Sequence, residues 1–140
     1  MQGGKMLRKM LVVDDSLLLH KMYDLVLRRY ATQGTAIVHA YDGAEALKLL
    51  GLHADVDLIL LDVNMPTMDG LEFLRLRRPD PVLASIAVIV VSTEGKDHDT
   101  QLAMSEGASD YITKPFDPAR LHHKIEAIQR KGVGELRAHG

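Results

Sequence analysis

The sequence of 140 residues contains no cysteine, so disulfides, zinc–thiolate sites and thiol nucleophiles are excluded. Long apolar runs are missing too: the longest, residues 86–91, is far shorter than the roughly 20 residues that a membrane-spanning helix needs. No secretory leader is expected, because Asp14 and Asp15 interrupt the apolar stretch near the N-terminus. These absences predict a cytoplasmic protein.

Neither sign of charge dominates the sequence. The 17 basic and 19 acidic residues give a formal net charge of -2, which does not favour binding to nucleic acid or to an anionic membrane. One local basic cluster, Arg75, Arg77 and Arg78, is interpreted as a solvated helix end. The seven histidines show no metal-ligand spacing, and all are expected to be solvated.

Hydrophobic residues make up 46% of the chain, enough for one domain with a sizeable core. Apolar runs at 10–13, 36–38, 58–61, 86–91 and 111–113 predict five strands, each followed by a helix. Pro79 and Pro81 are expected to end the third helix. Continuous apolar strands that alternate with helices indicate a parallel sheet covered on both faces. The predicted fold is α/β, a flavodoxin-like doubly wound five-stranded parallel sheet of order 2-1-3-4-5.

Polar side chains stand where the apolar runs stop. Asp14 and Asp15 follow the first strand, Asp62 the third, Ser92 and Thr93 the fourth, and Lys114 the fifth. Ligands of an open parallel sheet bind beyond the carboxyl ends of its strands, so we expect these side chains to share one crevice.

Three carboxylates in one crevice repel each other, and a bound cation relieves the repulsion. Donor sets made only of oxygen select a hard ion, and Mg²⁺ fits best. Lys114 offers a positive charge to a phosphoryl oxygen, and Ser92 offers a hydroxyl. A carboxylate held between a cation and a lysine can act as a nucleophile. We assign that role to Asp62, the single central carboxylate, because the adjacent pair Asp14 and Asp15 suits metal binding.

Five short blocks in a fixed order carry a family resemblance. They are Val12-Val13-Asp14-Asp15-Ser16, Leu61-Asp62-Val63-Asn64-Met65-Pro66, Asp69-Gly70, Val91-Ser92 and Lys114-Pro115-Phe116. Together they resemble the receiver domain of two-component response regulators, specifically a single-domain, CheY-like one. The resemblance covers about residues 6–131, which leaves 1–5 and 132–140 as terminal tails.

The resemblance implies a role for each matching residue. Asp62 is the phosphorylated residue, and it binds Mg²⁺ together with Asp14, Asp15 and the backbone carbonyl of Asn64. The phosphoryl donor is a sensor histidine kinase or a phosphotransfer protein. Such a protein is a switch that catalyses only its own phosphorylation and dephosphorylation, and it is not an enzyme acting on a separate substrate.

Further implied roles concern the response to phosphorylation. Ser92 and Lys114 contact the phosphoryl group, Tyr111 is an aromatic rotamer switch, and the peptide bond between Lys114 and Pro115 is cis. The output surface is the face made by the fourth predicted helix (about 97–106), the fifth strand and the last helix, which binds a downstream target protein. Asn64, Thr93 and Glu94 border the path of the hydrolytic water and tune dephosphorylation.

Three other functions fit the sequence less well than this one. A Mg²⁺-dependent aspartate-nucleophile phosphatase would place two aspartates two residues apart after the first strand, whereas Asp14 and Asp15 are adjacent. A nucleotide or flavin binder would need a glycine-rich phosphate loop there, and none follows. A degenerate receiver that only docks would lack some of the five matching site residues. An intermediate carrier in a phosphorelay remains an alternative.

Overall fold

The structure, a computed structural model, describes residues 6–65, 70–93 and 95–131. In these ranges, strands and helices follow one another as β1 (Lys9–Val13), α1 (Leu17–Val26), α2 (Arg28–Ala31), β2 (Ala36–Ala40), α3 (Gly43–Leu52), β3 (Leu58–Asp62), α4 (Gly70–Arg77), α5 (Pro81–Ala84), β4 (Ala87–Thr93), α6 (Asp97–Ser105), β5 (Asp110–Lys114) and α7 (Pro118–Lys131). The predicted tails, 1–5 and 132–140, lie outside the described residues. No helix in the described ranges is long and apolar enough to cross a bilayer.

The five strands form one parallel sheet of order β2-β1-β3-β4-β5, as the sequence predicts. Strand β1 pairs with both β2 and β3, and Val13 lies opposite Ala40 on one side and Leu61 on the other. The direction of winding therefore reverses between β1 and β3. This reversal opens a crevice at the carboxyl ends of these two strands.

Both faces of the sheet are buried, which explains why its strands are continuously apolar. Successive residues of a strand point to opposite faces. In β1, Leu11 and Val13 belong to the core shared with α3, α4 and α6, whereas Met10 and Val12 belong to the core shared with α1, α2 and α7.

Local capping residues place the helices that follow the strands. The Ser16 Oγ accepts a hydrogen bond from the Leu19 backbone N–H and so begins α1. Asp42 begins α3 in the same way. The Lys114–Pro115 peptide bond is cis, as predicted.

Several predicted boundaries differ from the structure by one or two residues. Strand β4 runs two residues further than predicted, so Ser92 and Thr93 are the last residues of the strand and pair with Thr113 and Lys114 of β5. The helix predicted after the third strand is α4, which ends at Arg77, before Pro79. Pro81, however, begins another helix, α5. Proline is favoured at a first helical position, where its missing N–H would have no helical acceptor.

The prediction of a solvated arginine cluster is wrong for Arg77. Its side chain is fully buried against the rest of the domain, with 1% exposure. Arg75 and Arg78 are exposed and both bind Glu106, at N–O distances of 3.2 and 2.9 Å. The middle arginine is buried because it lies on the inner side of α4, whereas its neighbours project outward.

The prediction that all seven histidines are solvated is wrong for His20 and His122, which are buried. The Nδ1 of His122 lies 2.9 Å from the Tyr30 hydroxyl, and burial lowers the pKa of His122. Buried polar side chains need a hydrogen-bonding partner, and these two histidines find partners on distant elements. Sequence spacing does not reveal such pairs.

Candidate functional site

Three carboxylates meet at the carboxyl end of the sheet. Asp14 follows β1, Asp62 ends β3, and one carboxylate oxygen from each of Asp14, Asp15 and Asp62 lies within 4.8 Å of the others. Asp14 and Asp62 are buried, with 1% and 3% exposure, whereas Asp15 is exposed. The parallel pairing of β1 with β3 brings the first two together, as the sequence predicts.

Asp14 is held by hydrogen bonds at both its side chain and its backbone. Its Oδ1 accepts from the Ser16 N–H at 2.8 Å, and its N–H donates to the Ala40 carbonyl at 3.1 Å. Its carbonyl lies 2.7 Å from the Nε2 of buried His20. The first turn of α1 and strand β2 thus fix the position of this carboxylate.

The sequence reasoning missed a histidine network behind Asp14. His20 Nδ1 lies 2.6 Å from His39 Nδ1, and His39 Nε2 lies 2.8 Å from the Asp24 carboxylate. Together with the contact between His20 and the Asp14 carbonyl, these contacts form a continuous chain of hydrogen bonds. The network joins the backbone of the acidic site to the exposed Asp24.

Asp62 and Asp14 share one cation, the Lys114 ammonium group. Its Nζ lies 3.1 Å from Asp14 Oδ2 and 3.3 Å from Asp62 Oδ2. The other oxygen of Asp62 accepts from the Asn64 N–H at 2.8 Å. Burial raises the pKa of Asp62, and the Asp14 charge raises it further, although the Asn64 N–H and Lys114 oppose the shift. The single positive charge of Lys114 therefore does not balance the negative charge of the three carboxylates.

The donor set fits a hard divalent cation. Carboxylate oxygens are the ligands that Mg²⁺ prefers, and the exposed Asp15 leaves one side of the cluster open to water, which Mg²⁺ retains. Lys114 already bridges two of the three carboxylates, and one lysine does not neutralise them. Asn64 is two residues after Asp62 in the sequence. Binding of a metal ion by its backbone carbonyl stays a prediction.

Two further hydrogen bonds connect the site to α6. The Oγ of buried Ser92 accepts from the Thr100 hydroxyl at 2.9 Å. The Asn64 amide donates to Asp99 at 2.8 Å, and its oxygen accepts from the Thr93 N–H at 2.9 Å. Thr100 and Asp99 were not predicted. Their place in the first turn of the helix after β4, at the same end of the sheet, is the signal that could have identified them.

Two of the remaining predicted residues, Tyr111 and Thr93, are exposed. Tyr111 is 44% exposed, and its ring centre lies 5.5 Å from Lys124 Nζ. Its role as a switch stays a prediction. Thr93 is exposed at the end of β4, and Glu94 lies outside the described residues. Tyr23 was overlooked: it is buried, and the charges of Asp14 and Asp62 add to the burial that raises its pKa.

A five-stranded sheet of this order, with an acidic crevice at β1 and β3 and a lysine from β5 across it, defines a receiver domain. Comparison with protein families agrees. The model of the response regulator receiver domain matches residues 10–126, and the chain belongs to this family.

Relatives cover almost the whole chain. It is 35% identical over 127 residues to a chemotaxis protein CheY homolog of Campylobacter jejuni, covering 91% of this chain and 96% of that protein. It is 34% identical over 120 residues to chemotaxis protein CheY1 of Helicobacter pylori, covering 86% and 95%. Among solved structures, Vibrio cholerae CheY4 matches with a TM-score of 0.76 at 31% identity, covering 87% of this chain and 98% of that one. The chain is thus similar to CheY-type proteins and takes part in two-component signalling.

Proposed function

We propose that the protein is a cytoplasmic phosphorylation switch in which Asp62 accepts a phosphoryl group from a sensor histidine kinase or a phosphotransfer protein. One observation carries this proposal: Asp62 is buried in the acidic crevice, and Lys114 joins its carboxylate to that of Asp14. Membership of the receiver family supports the donor class. The protein acts on no separate substrate in this proposal.

Transfer would form one bond and break another at phosphorus. An Asp62 carboxylate oxygen attacks the phosphorus while the bond to the donor, the imidazole nitrogen of a phosphohistidine, breaks and leaves its electron pair on that nitrogen. The product is an acyl phosphate on Asp62. Mg²⁺ bound by Asp14, Asp15, Asp62 and the Asn64 carbonyl would neutralise phosphoryl oxygens, and Lys114 and Ser92 would position them.

The hydrogen bonds to α6 suggest how the signal leaves the site. The Ser92 Oγ accepts a hydrogen bond from the Thr100 hydroxyl of α6. Rotation of the Ser92 side chain toward a phosphoryl oxygen therefore breaks this hydrogen bond. The Asn64 side-chain amide donates a hydrogen bond to Asp99, which lies beside Thr100 in the first turn of α6. We infer that α6 then shifts together with Tyr111, and that the face made by α6, β5 and α7 binds the downstream target protein.

Acetyl phosphate with Mg²⁺ should add one phosphoryl mass to the wild-type protein. Asp62→Asn should remove the added mass completely, because an amide oxygen cannot act as the nucleophile. Intact-mass spectrometry measures both. Asp57→Asn is the matched control, because Asp57 is also a buried aspartate near a strand but binds the Arg8 and Lys9 backbone, away from the crevice.

A mass increase that persists in Asp62→Asn would refute the assignment. An increase that appears without Mg²⁺ at the same rate would refute the metal requirement. Steady release of product from an added phosphomonoester would instead favour the phosphatase alternative. Transfer from phosphorylated protein to a second phosphotransfer protein would favour a phosphorelay carrier.

The phosphoryl group should be short-lived, because small polar residues border the path of the in-line water. Thr93→Ala should speed both loading from small donors and loss, since its β-branch narrows access. Replacing Asn64 with leucine should lengthen the lifetime by about tenfold, equivalent to about 1.4 kcal/mol in the barrier. Decay of radiolabelled protein after donor removal measures each lifetime, with Glu94→Gln as a third variant. A wild-type lifetime of many hours, unchanged by all three substitutions, would show that water access is controlled elsewhere.

A further inference from the structure

His20 is a buried side chain beside the acidic crevice that the proposed phosphoryl transfer does not use. It belongs to α1, is 2% exposed, and places its Nε2 at 2.7 Å from the Asp14 carbonyl oxygen. A carbonyl oxygen only accepts hydrogen bonds, so the ring donates from Nε2. Strand β1 ends at Val13, and this carbonyl therefore lies beyond the end of the strand.

The peptide group between Asp14 and Asp15 matters because Asp15 has no side-chain partner of its own. Among the described residues, the exposed Asp15 makes no hydrogen bond or ion pair. One of its carboxylate oxygens nevertheless lies within 4.8 Å of oxygens from Asp14 and Asp62. The direction of the Asp15 side chain therefore depends on the two peptide groups that flank it.

Hydrogen bonds hold both of these peptide groups. The group after Asp15 is held through the Ser16 N–H, which donates to Asp14 Oδ1 at 2.8 Å. The group before Asp15 is held through the Asp14 carbonyl, which accepts from His20. Without the bond from His20, this second peptide group could rotate about the backbone dihedrals beside it and turn the Asp15 side chain away.

The His20 ring is itself held from two sides. Its Nδ1 lies 2.6 Å from His39 Nδ1, and His39 Nε2 lies 2.8 Å from the Asp24 carboxylate. The Tyr41 ring packs on the His20 ring, with 4.2 Å between the ring centres. Strand β2 and the residue that follows it thus fix the direction from which Nε2 reaches the Asp14 carbonyl.

We propose that His20 is a positioning residue that holds the peptide group between Asp14 and Asp15 and so directs the Asp15 carboxylate into the crevice for magnesium. The part that concerns magnesium rests on the proposed function, whereas the hydrogen bond does not. Groups that support a metal ligand from behind fix its orientation, and their loss typically weakens metal binding by roughly 10- to 100-fold.

Two uncharged substitutions separate this hydrogen bond from the rest of the ring. The side-chain nitrogen of His20→Gln can reach the position of Nε2, whereas that of His20→Asn reaches only the position of Nδ1. In the metal-free protein, His20→Asn should shift the Asp14 carbonyl and Asp15 amide resonances, and His20→Gln should leave both near their wild-type values. In a titration with MgCl₂ followed by amide chemical shifts, His20→Asn should raise the dissociation constant by about tenfold, and His20→Gln by no more than about twofold.

His122→Asn is the matched control, because His122 is also buried but its partner is the Tyr30 hydroxyl. This variant should bind magnesium as wild type does, which separates the hydrogen bond to Asp14 from a general loss of packing. Wild-type magnesium affinity in His20→Asn overturns the proposal. Equal weakening in His20→Gln and His20→Asn overturns it as well.

Failure of the magnesium site itself would give a different result. A wild type that does not respond to MgCl₂ refutes the metal site of the proposed function, and unchanged metal-free resonances in His20→Asn then overturn the role of His20 separately. If His20→Asn does not fold, the ring nitrogen spectrum of wild-type His20 decides the question. A hydrogen on Nε2 that exchanges slowly with water supports the bond to Asp14, and an Nε2 without a hydrogen overturns it.

Discussion

Replacing Gly70 with alanine should destabilise the domain by about 3 kcal/mol. A Cβ at Gly70 would lie 2.6 Å from the Asp62 carbonyl oxygen and 2.6 Å from the Val63 Cα. Both are backbone atoms, so the clash cannot be relieved by a side-chain rotation. The first residue of α4 must be glycine because that helix begins directly against the end of β3.

The same substitution should impair phosphorylation, because the backbone that has to yield carries Asp62. Gly51→Ala is the matched control: Gly51 lies in α3, and a Cβ there would meet nothing within 4 Å. Alanine is favoured over glycine in a helix by about 1 kcal/mol, so this variant should be slightly more stable than wild type. Urea unfolding gives both free energies, and acetyl phosphate labelling gives the acceptor activity. Equal stability of the two variants would contradict the close approach of α4 to β3.

The fold could be predicted from the sequence because burial on both faces leaves a simple pattern. Parallel strands such as β3, residues Leu58–Asp62, are uninterrupted apolar runs, and the polar residue that ends each run marks the edge of the sheet. The exact ends of the strands could not be predicted. Ser92 and Thr93 belong to β4 because they pair with β5, and a pairing partner is a property of the folded sheet.

The central site residues were predictable for a related reason. Asp14, Asp62 and Lys114 each follow an apolar run, and the strand order alone brings these run ends together. The supporting contacts were not predictable. Thr100 reaches Ser92 and His39 reaches His20 because separate elements pack at particular angles, which no spacing in the sequence records.

Arg77 shows where a sequence reading of charge fails. Three arginines within four positions look like one solvated patch, but the helix turns by about 100° per residue, so neighbours in sequence point in different directions. Arg75 and Arg78 share Glu106 outside, while Arg77 faces the interior. Which of the three faces inward depends on the position of α6 and its following turn, which provides the Gly107 carbonyl.

Asp62→Asn should stabilise the metal-free protein and remove most of its response to magnesium. Burial raises the pKa of Asp62 above its usual value of 3.8, so the native state favours the neutral form over the ionised one. Wild type therefore loses stability as the pH rises from the usual carboxyl range through the raised pKa of Asp62, and the penalty is complete above that raised pKa. The amide carries no charge and avoids this penalty, while Lys114 keeps its bond to Asp14.

Magnesium should act on wild type in the opposite direction, because an ion that binds only the native state stabilises it. At a free concentration of about ten times the dissociation constant, the gain is about 1.4 kcal/mol. Asp15→Asn is the informative control: Asp15 is exposed, so its loss should weaken the magnesium response without stabilising the metal-free protein. Thermal unfolding with EDTA and with millimolar MgCl₂ measures all three proteins. A wild type indifferent to magnesium, or an Asp62→Asn variant less stable than wild type in EDTA, would show that the three carboxylates do not form the strained cation site inferred from their burial and spacing.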